Sequence, residues 1–352
     1  MVTNAIWRLI KTWIALILLI NIVYGATAPA HGMYAEHYSY VVLSVGYDRY
    51  SDIYVMTPDG QLWANLTQQP DTWNEMPTWS PDGTYIAFVL AAKEQSGIYV
   101  MAADGSHVQQ ITSRDFGLPP AWWPDGSRLT YNTGGQVCLR TLKGETATLV
   151  VPGGFSGRFS WSPDGRYLTY ASYYVDHKQM NFSDIFSLDV TPYLAEALAE
   201  ALPCPAPLPD VEPTYLKPLN LTHTPTLSES DPEWSPDGRF VAFVSMNSVA
   251  VMDATSRRFW LIAPGPAPLA LPAPINNSPT WLPDAEHVAF VSNRGENGKR
   301  DLYIADANGE FQPIQITHFP EELRLEEIDW SPWLDEPLDL DWEPTPWSVS
   351  EE

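Results

Sequence analysis

Short apolar runs with a two-residue period recur along most of the chain, each bounded by turn-forming residues. TYIAFV follows Gly83, SRLTYN follows Gly126, RYLTYAS follows Gly165, RFVAFVS follows Gly238 and EHVAFVS follows Ala285. Such alternation predicts half-buried strands, and the Pro/Asp/Gly clusters between the runs predict tight turns. What precedes each run is equally regular. Trp79-Ser-Pro-Asp-Gly83, Trp122-Trp-Pro-Asp-Gly126, Trp161-Ser-Pro-Asp-Gly165, Trp234-Ser-Pro-Asp-Gly238 and Trp281-Leu-Pro-Asp-Ala285 are copies of one motif, with a partial sixth at Trp330-Ser-Pro332. Proline presets φ for the turn, aspartate bonds nearby backbone, and glycine accepts the positive φ that follows. Each unit continues into a strand such as GIYVMAADG (Gly97 to Gly105) or DLYIADANG (Asp301 to Gly309), then another such as QQIT (Gln109 to Thr112) or IQIT (Ile314 to Thr317). Four short strands in roughly 40–50 residues is the size of a propeller blade.

The two ends complement each other. Tyr40 to Val45, Asp52 to Met56 and Leu62 to Thr67 read as three strands with no tryptophan motif before them. The motif at Trp330 has no strand after it, so the strand at Ile328 to Trp330 is expected to complete the first blade. The fold expected is all-β: a six-bladed β-propeller of four-stranded blades over residues 38–332, the first blade closed by the C-terminal strand. Closure removes exposed sheet edges. Steps between motif tryptophans are 43, 39, 73, 47 and 49 residues. The long step marks an insertion at 191–215 in blade four, helical in spacing over Leu194 to Leu202 and Pro-rich after it. It reads as a surface excursion or a partner-binding flap. Residues 333–352 are acidic and aperiodic, which predicts a disordered tail.

At the N-terminus, Arg8 and Lys11 precede the apolar run Trp13 to Tyr24, and small residues follow. That order predicts a signal peptide over residues 1–30, or an uncleaved anchor, and hence export to the periplasm or the cell exterior. The formal net charge of −24 excludes a nucleic-acid partner and fits a solvated acidic surface or a basic partner. The two cysteines, Cys138 and Cys204, show no metal-binding spacing; export would permit a disulfide, but Cys138 lies in a strand-like run and reads as a small buried hydrophobe, with no bond to Cys204 expected.

Chemistry is sparse. There is no G-x-S-x-G elbow, H-E-x-x-H or EF-hand pattern, and the seven histidines are scattered. Asp82, Asp125, Asp164, Asp237 and Asp284 are explained by their turns. The positions three before each motif tryptophan (Met76, Pro119, Arg158, Asp231, Ser278 and Glu327) form no uniform ring. The tryptophans themselves read as packing between blades. Asn65-Leu-Thr67, Asn181-Phe-Ser183 and Asn220-Leu-Thr222 match glycosylation sequons, relevant only to a eukaryotic secretory route. No catalytic, cofactor-binding or metal-ligating residue is singled out, and no cofactor is expected.

The W-S-P-D-G copies followed by D-I-Y-V-M-like text resemble the WD-like repeats of the TolB family, over roughly residues 38–332. The resemblance implies a six-bladed periplasmic propeller, here without the small α/β domain that precedes it in the founding member. It implies a binding protein of the envelope or secreted space, without naming a partner. The function expected is therefore non-enzymatic: a protein-binding or scaffolding module whose partner is another envelope or secreted protein, or a small ligand or glycan at the channel mouth. The alternative is a saccharide-acting lyase or hydrolase with carboxylates converging in the channel. Membrane contact is expected only through an uncleaved N-terminal segment.

Overall fold

In the computed structural model of the chain, residues 33–344 are described except for 35–36, 70, 94, 114–118, 134–135, 150–153, 176–180, 193–203, 205–216, 225–226, 265–273, 296–297 and 321. The signal-peptide reading of 1–30 and the helical reading of 194–202 lie outside the described residues. Among those that are described, no helix is long and apolar enough to cross a membrane.

The described chain is a succession of antiparallel meanders. A hairpin of β1 (Met33–Tyr34) and β2 (His37–Tyr38) leads into β3 (Val41–Tyr47), β4 (Tyr50–Met56) and β5 (Leu62–Asn65). Next come β6 (Trp73–Trp79), β7 (Tyr85–Ala91), β8 (Gly97–Ala102) and β9 (Gln109–Gln110). One four-stranded sheet contains β10 (Ala121–Trp122), β11 (Arg128–Thr133), β12 (Gln136–Thr141) and β13 (Thr146–Leu149). Another contains β14 (Gly154–Trp161), β15 (Tyr167–Val175), β16 (Asn181–Asp189) and β17 (Leu219–Asn220). Then follow β18 (Glu229–Trp234), β19 (Phe240–Ser245), β20 (Ser248–Asp253) and β21 (Phe259–Ala263). The next sheet is β22 (Asn276–Trp281), β23 (His287–Ser292), β24 (Asp301–Asp306) and β25 (Ile314–Gln315). Strand β26 (Leu323–Trp330) returns to pair antiparallel with β3, Trp330 opposite Val41, which is the pairing the sequence predicts. The β26-β3-β4-β5 meander joins the β6–β9 meander through one parallel contact, Ser51 with Trp73.

The motif turns form for the reasons their residues suggest. At the first, Gly83 N donates to Ser80 O at 2.8 Å, while Asp82 Oδ1 accepts from Ser80 Oγ at 2.6 Å and from Thr84 N at 3.1 Å. Gly83 sits at φ 70° and Gly126 at 72°, the left-handed region where a side chain is strained. The apolar cores lie between consecutive sheets. Trp123, Trp161, Leu139 and Tyr170 join the β10–β13 sheet to the β14–β17 sheet. Val291 and Leu302 of the β22–β25 sheet pack with Val45 and Ile328 of β3 and β26.

A buried aspartate at the start of the third strand pins three of the sheets. Asp52 accepts from Asn65 Nδ2 at 2.9 Å and Thr67 Oγ1 at 2.8 Å; Asp184 accepts from Asn220 Nδ2 at 2.6 Å. Asp301 accepts from Thr317 Oγ1 at 3.1 Å and Phe319 N at 2.7 Å. Two of the sequon asparagines, Asn65 and Asn220, are thus held within the fold by these aspartates.

Two sequence expectations change. Residues 333–344 are not a disordered tail. Leu334 bridges to Tyr38, and Trp342 stacks on Tyr40 with centroids 5.5 Å apart. β27 (Glu343–Pro344) adds to the edge of β5. Acidity misled because Leu334, Leu338, Leu340 and Trp342 supply an apolar stripe that joins the core of the first two meanders. Nor is Cys138 unpaired. It forms a disulfide with Cys204, Cα to Cα 5.9 Å, pinning the insertion to β12. A separation of 66 positions hid this proximity, which arises only when neighbouring sheets pack.

Gly83→Ala and Gly126→Ala impose the same backbone strain, about 1 kcal/mol each. A Cβ at Gly83 would also collide with Leu334 Cδ2, whereas at Gly126 the nearest atom is 4.0 Å away. Gly83→Ala should therefore lower the denaturation midpoint clearly more. Equal losses would place the tail elsewhere. Cys204→Ser should cost up to about 4 kcal/mol by the loop-closure estimate, read from unfolding with and without reductant.

Candidate functional site

The innermost strands β6, β10, β14, β18, β22 and β26 are mutual neighbours in that order, and β26 also neighbours β6. Each ends at its motif tryptophan. Five of these strands break register just before it, at Glu75/Thr78, Ser156/Phe159, Ser230/Glu233, Asn277/Thr280 and Leu325/Glu327. Met76, Asp231 and Ser278 take positive φ there. Such bulges re-aim side chains.

Where these strand ends meet lies a cavity of about 400 Å³. Its wall is the repeat itself: the six motif tryptophans with the motif prolines, and Trp333 beside them. The tryptophans are mostly buried packing residues, as the sequence suggests, and four indoles reach back to the preceding sheet. Trp161 Nε1 donates to Thr130 Oγ1 at 2.8 Å, Trp234 Nε1 to Thr169 Oγ1 at 2.9 Å, Trp281 Nε1 to Glu233 O at 3.0 Å and Trp122 Nε1 to Thr78 O at 3.2 Å. The motif aspartates stay in their turns; Asp164 and Asp237 each accept the backbone N–H two residues on, both at 3.0 Å.

The polar residues of the cavity are Arg158, Glu233 and Asp329, with Ser and Thr neighbours. Arg158 donates from Nη2 to Ile328 O at 3.2 Å, and its Nη1 lies 4.0 Å from Glu233 Oε2. Burial alone would depress its pKa, but Glu327, Glu233, Asp329 and Asp231 outweigh burial and raise it. Asp329 accepts from Trp79 N at 2.7 Å and Trp330 N at 3.0 Å. Thr280 Oγ1 stands 3.0 Å from Glu233 Oε1 and 2.9 Å from Asp329 Oδ1. A hydroxyl has one hydrogen, so Thr280 donates to one carboxyl at a time, and a proton on the other relieves the pair. The electrostatics agree. Burial, then the charge of Asp329, pushes Glu233 up to about 8; burial also raises Asp329 and, against Arg158, Glu327. The carboxyl pair therefore shares a proton near neutral pH.

Arg158, Asp231 and Glu327 are three of the positions three before a tryptophan, and the absence of a uniform ring concealed that they converge. Glu233 and Asp329, one before their tryptophans, were missed. Reading both positions together around the repeat would have found all five. The described histidines do not join them, and among the described residues no group of three or more His, Cys, Asp or Glu is placed to hold a metal ion.

The profile of the TolB beta propeller domain matches residues 18–188. The Tol-Pal system protein TolB of Francisella tularensis subsp. mediasiatica (strain FSC147) is 27% identical over 113 residues, covering 31% of this chain and 26% of that protein. The chain thus spans about a quarter of the curated relatives it matches. Solved TolB from Acinetobacter baumannii superposes over 89% of this chain and 70% of its own, with TM-score 0.62 at 17% identity. Kuenenia stuttgartiensis hydrazine synthase superposes over 83% and 46%, with TM-score 0.55 at 12% identity. At such identities these structures show a common propeller fold and nothing of function.

The raised Glu233 carboxyl has a consequence for stability. The folded chain keeps this proton up to about pH 8, whereas the unfolded chain releases it in the ordinary carboxylate range. Its stabilising contribution is full below that range and is lost as pH rises through about 8. Glu233→Gln removes the titration, so its melting temperature relative to the parent should climb from pH 5 to pH 9. A pH-independent difference would mean that Glu233 is ionised in the fold.

Proposed function

We propose that this chain, a TolB-like β-propeller protein, is an exported, non-enzymatic module of the cell envelope or secreted space that binds a partner protein at the cavity framed by its motif tryptophans. That cavity carries the reading: an apolar wall around a few convergent polar groups is the usual form of a binding site. The architecture we favour is six four-stranded blades closed into a ring. The cyclic succession of inner strands and the core shared between the β22–β25 sheet and β3/β26 support it. The Tol-Pal relatives support an envelope protein with a protein partner. Export through residues 1–30 is supported by the Cys138–Cys204 disulfide, since such bonds persist in oxidising compartments.

One observation favours the second reading, a lyase or hydrolase acting on a saccharide. A protonated carboxyl beside an ionised one is what acid–base catalysis requires. Binding remains the stronger reading because Asp329 is committed to Trp79 N, Trp330 N and Thr280. It serves as a latch between sheets, leaving Glu233 without a second uncommitted carboxylate. Turnover of an oligosaccharide that Glu233→Gln abolishes would make the enzyme reading correct.

The binding reading is tested by photo-crosslinking. A crosslinker at Trp333, on the cavity wall, should capture one envelope or secreted protein reproducibly, and one at Phe311, 68% exposed and beside β25, should not. Capture from Phe311 alone would move the binding surface to the outer edge.

A further inference from the structure

Resting on the binding role of this cavity, we propose that it receives the ammonium tip of a partner's lysine side chain, which settles beside Glu233.

The charge balance comes first. Four carboxyl groups, Asp231, Glu233, Glu327 and Asp329, surround one guanidinium, Arg158. Even with a proton held between Glu233 and Asp329, carboxyl groups outnumber the one guanidinium. Charges out of water are costly unless compensated, and an entering cation would compensate them. The whole chain carries −24, which draws cationic partners towards it.

Shape supplies the second argument. The wall of the cavity is indole and pyrrolidine surface. A lysine stem of four methylenes buries well on such surface while its charged head reaches a polar group beyond. Aromatic faces, Trp333 among them, also attract a cation.

Acceptor geometry selects lysine over arginine. Asp329 already receives three fixed donors, and Glu233 Oε1 is engaged with Thr280. Among the carboxyls that line the cavity, that leaves Glu233 Oε2, 4.0 Å from Arg158 Nη1, as the acceptor for a ligand. A guanidinium binds best when its planar fork finds two carboxylate oxygens, whereas an ammonium is a point charge that one oxygen suits. Arg158 would also repel a second guanidinium laid alongside it.

Cation binding should expel the shared proton. The groups facing Glu233 are Asp329 from β26, Arg158 from β14, and Thr280 with the Trp281 backbone from β22. An ammonium beside Glu233 favours its ionised form, so lysine affinity should rise with pH until that proton is gone in the free protein.

The experiment uses the chain from residue 31 onwards and three end-blocked pentapeptides, Gly-Gly-X-Gly-Gly, with X lysine, arginine or Nζ-acetyl-lysine. Tryptophan fluorescence and calorimetry report binding at physiological salt. The lysine peptide should bind at least about tenfold more tightly than the acetylated one, and more tightly than the arginine peptide. Glu233→Gln should weaken lysine binding about tenfold and abolish its rise with pH. Trp333→Ala, at the wall rather than among the buried charges, should weaken it about threefold, guarding against a Glu233 variant that folds poorly. Absence of binding, equal binding of the acetylated or arginine peptide, or affinity unchanged in both variants would overturn the proposal; the last would assign the lysine to the acidic outer surface. A partner crosslinked through Trp333 without lysine selectivity would overturn this inference and leave the binding role standing. Lysine selectivity with no partner at Trp333 would do the reverse.

Discussion

Among the described residues, no sheet has a core of its own. A four-stranded meander is too small to bury either face alone, and each apolar cluster here is shared by two consecutive sheets. The tryptophan that ends each inner strand is the main tie. It packs into its own sheet and, in four instances, sends its indole N–H to the preceding one. Neighbour dependence fixes where the inner strands end, and so the size of the cavity between them.

The same geometry creates an electrostatic problem at the centre. Side chains one and three positions before several of the tryptophans gather in or beside the cavity, however far apart they lie in sequence. Apolar or hydroxyl residues stand at most of these places. On the strands bearing Arg158, Glu233 and Asp329, charge has been put there instead. The fold tolerates it through hydrogen bonds: backbone N–H groups of Trp79 and Trp330 hold Asp329, and Thr280 couples the two carboxyls. The proton they share substitutes for a counter-ion. Structural necessity and readiness to bind thus have one origin, an interior short of positive charge.

Local chemistry was legible in the sequence. Pro-Asp-Gly specifies its turn wherever it occurs, and alternation after Gly83 or Gly238 specifies a strand. The pairing of β26 with β3 was legible too, because one end of the chain lacked what the other supplied. What depends on convergence was not. Arg158 and Glu327 are separated by most of the repeat array, and no periodicity announces that their side chains meet. Cys138 and Cys204 lie in different repeats, joined only by the packing of adjacent sheets. Asn65-Leu-Thr67 carries the letters of a glycosylation signal, yet its asparagine and threonine clamp Asp52. The tail misled through its composition, since four apolar side chains on the right spacing outweigh many exposed carboxylates.

The pairing of Val41 with Trp330 also bears on the order in which the polypeptide can assemble. As it emerges from the ribosome N-terminus first, β3, β4 and β5 are complete early but remain a three-stranded array whose β3 edge is bare. That edge is Val- and Leu-rich, the kind of template on which other chains can add. About 260 residues must follow β5 before β26 can cover it. Contacts that span so much chain form slowly. The vulnerable interval in the life of this protein is therefore set by its own synthesis, and a product truncated before residue 323 never leaves it.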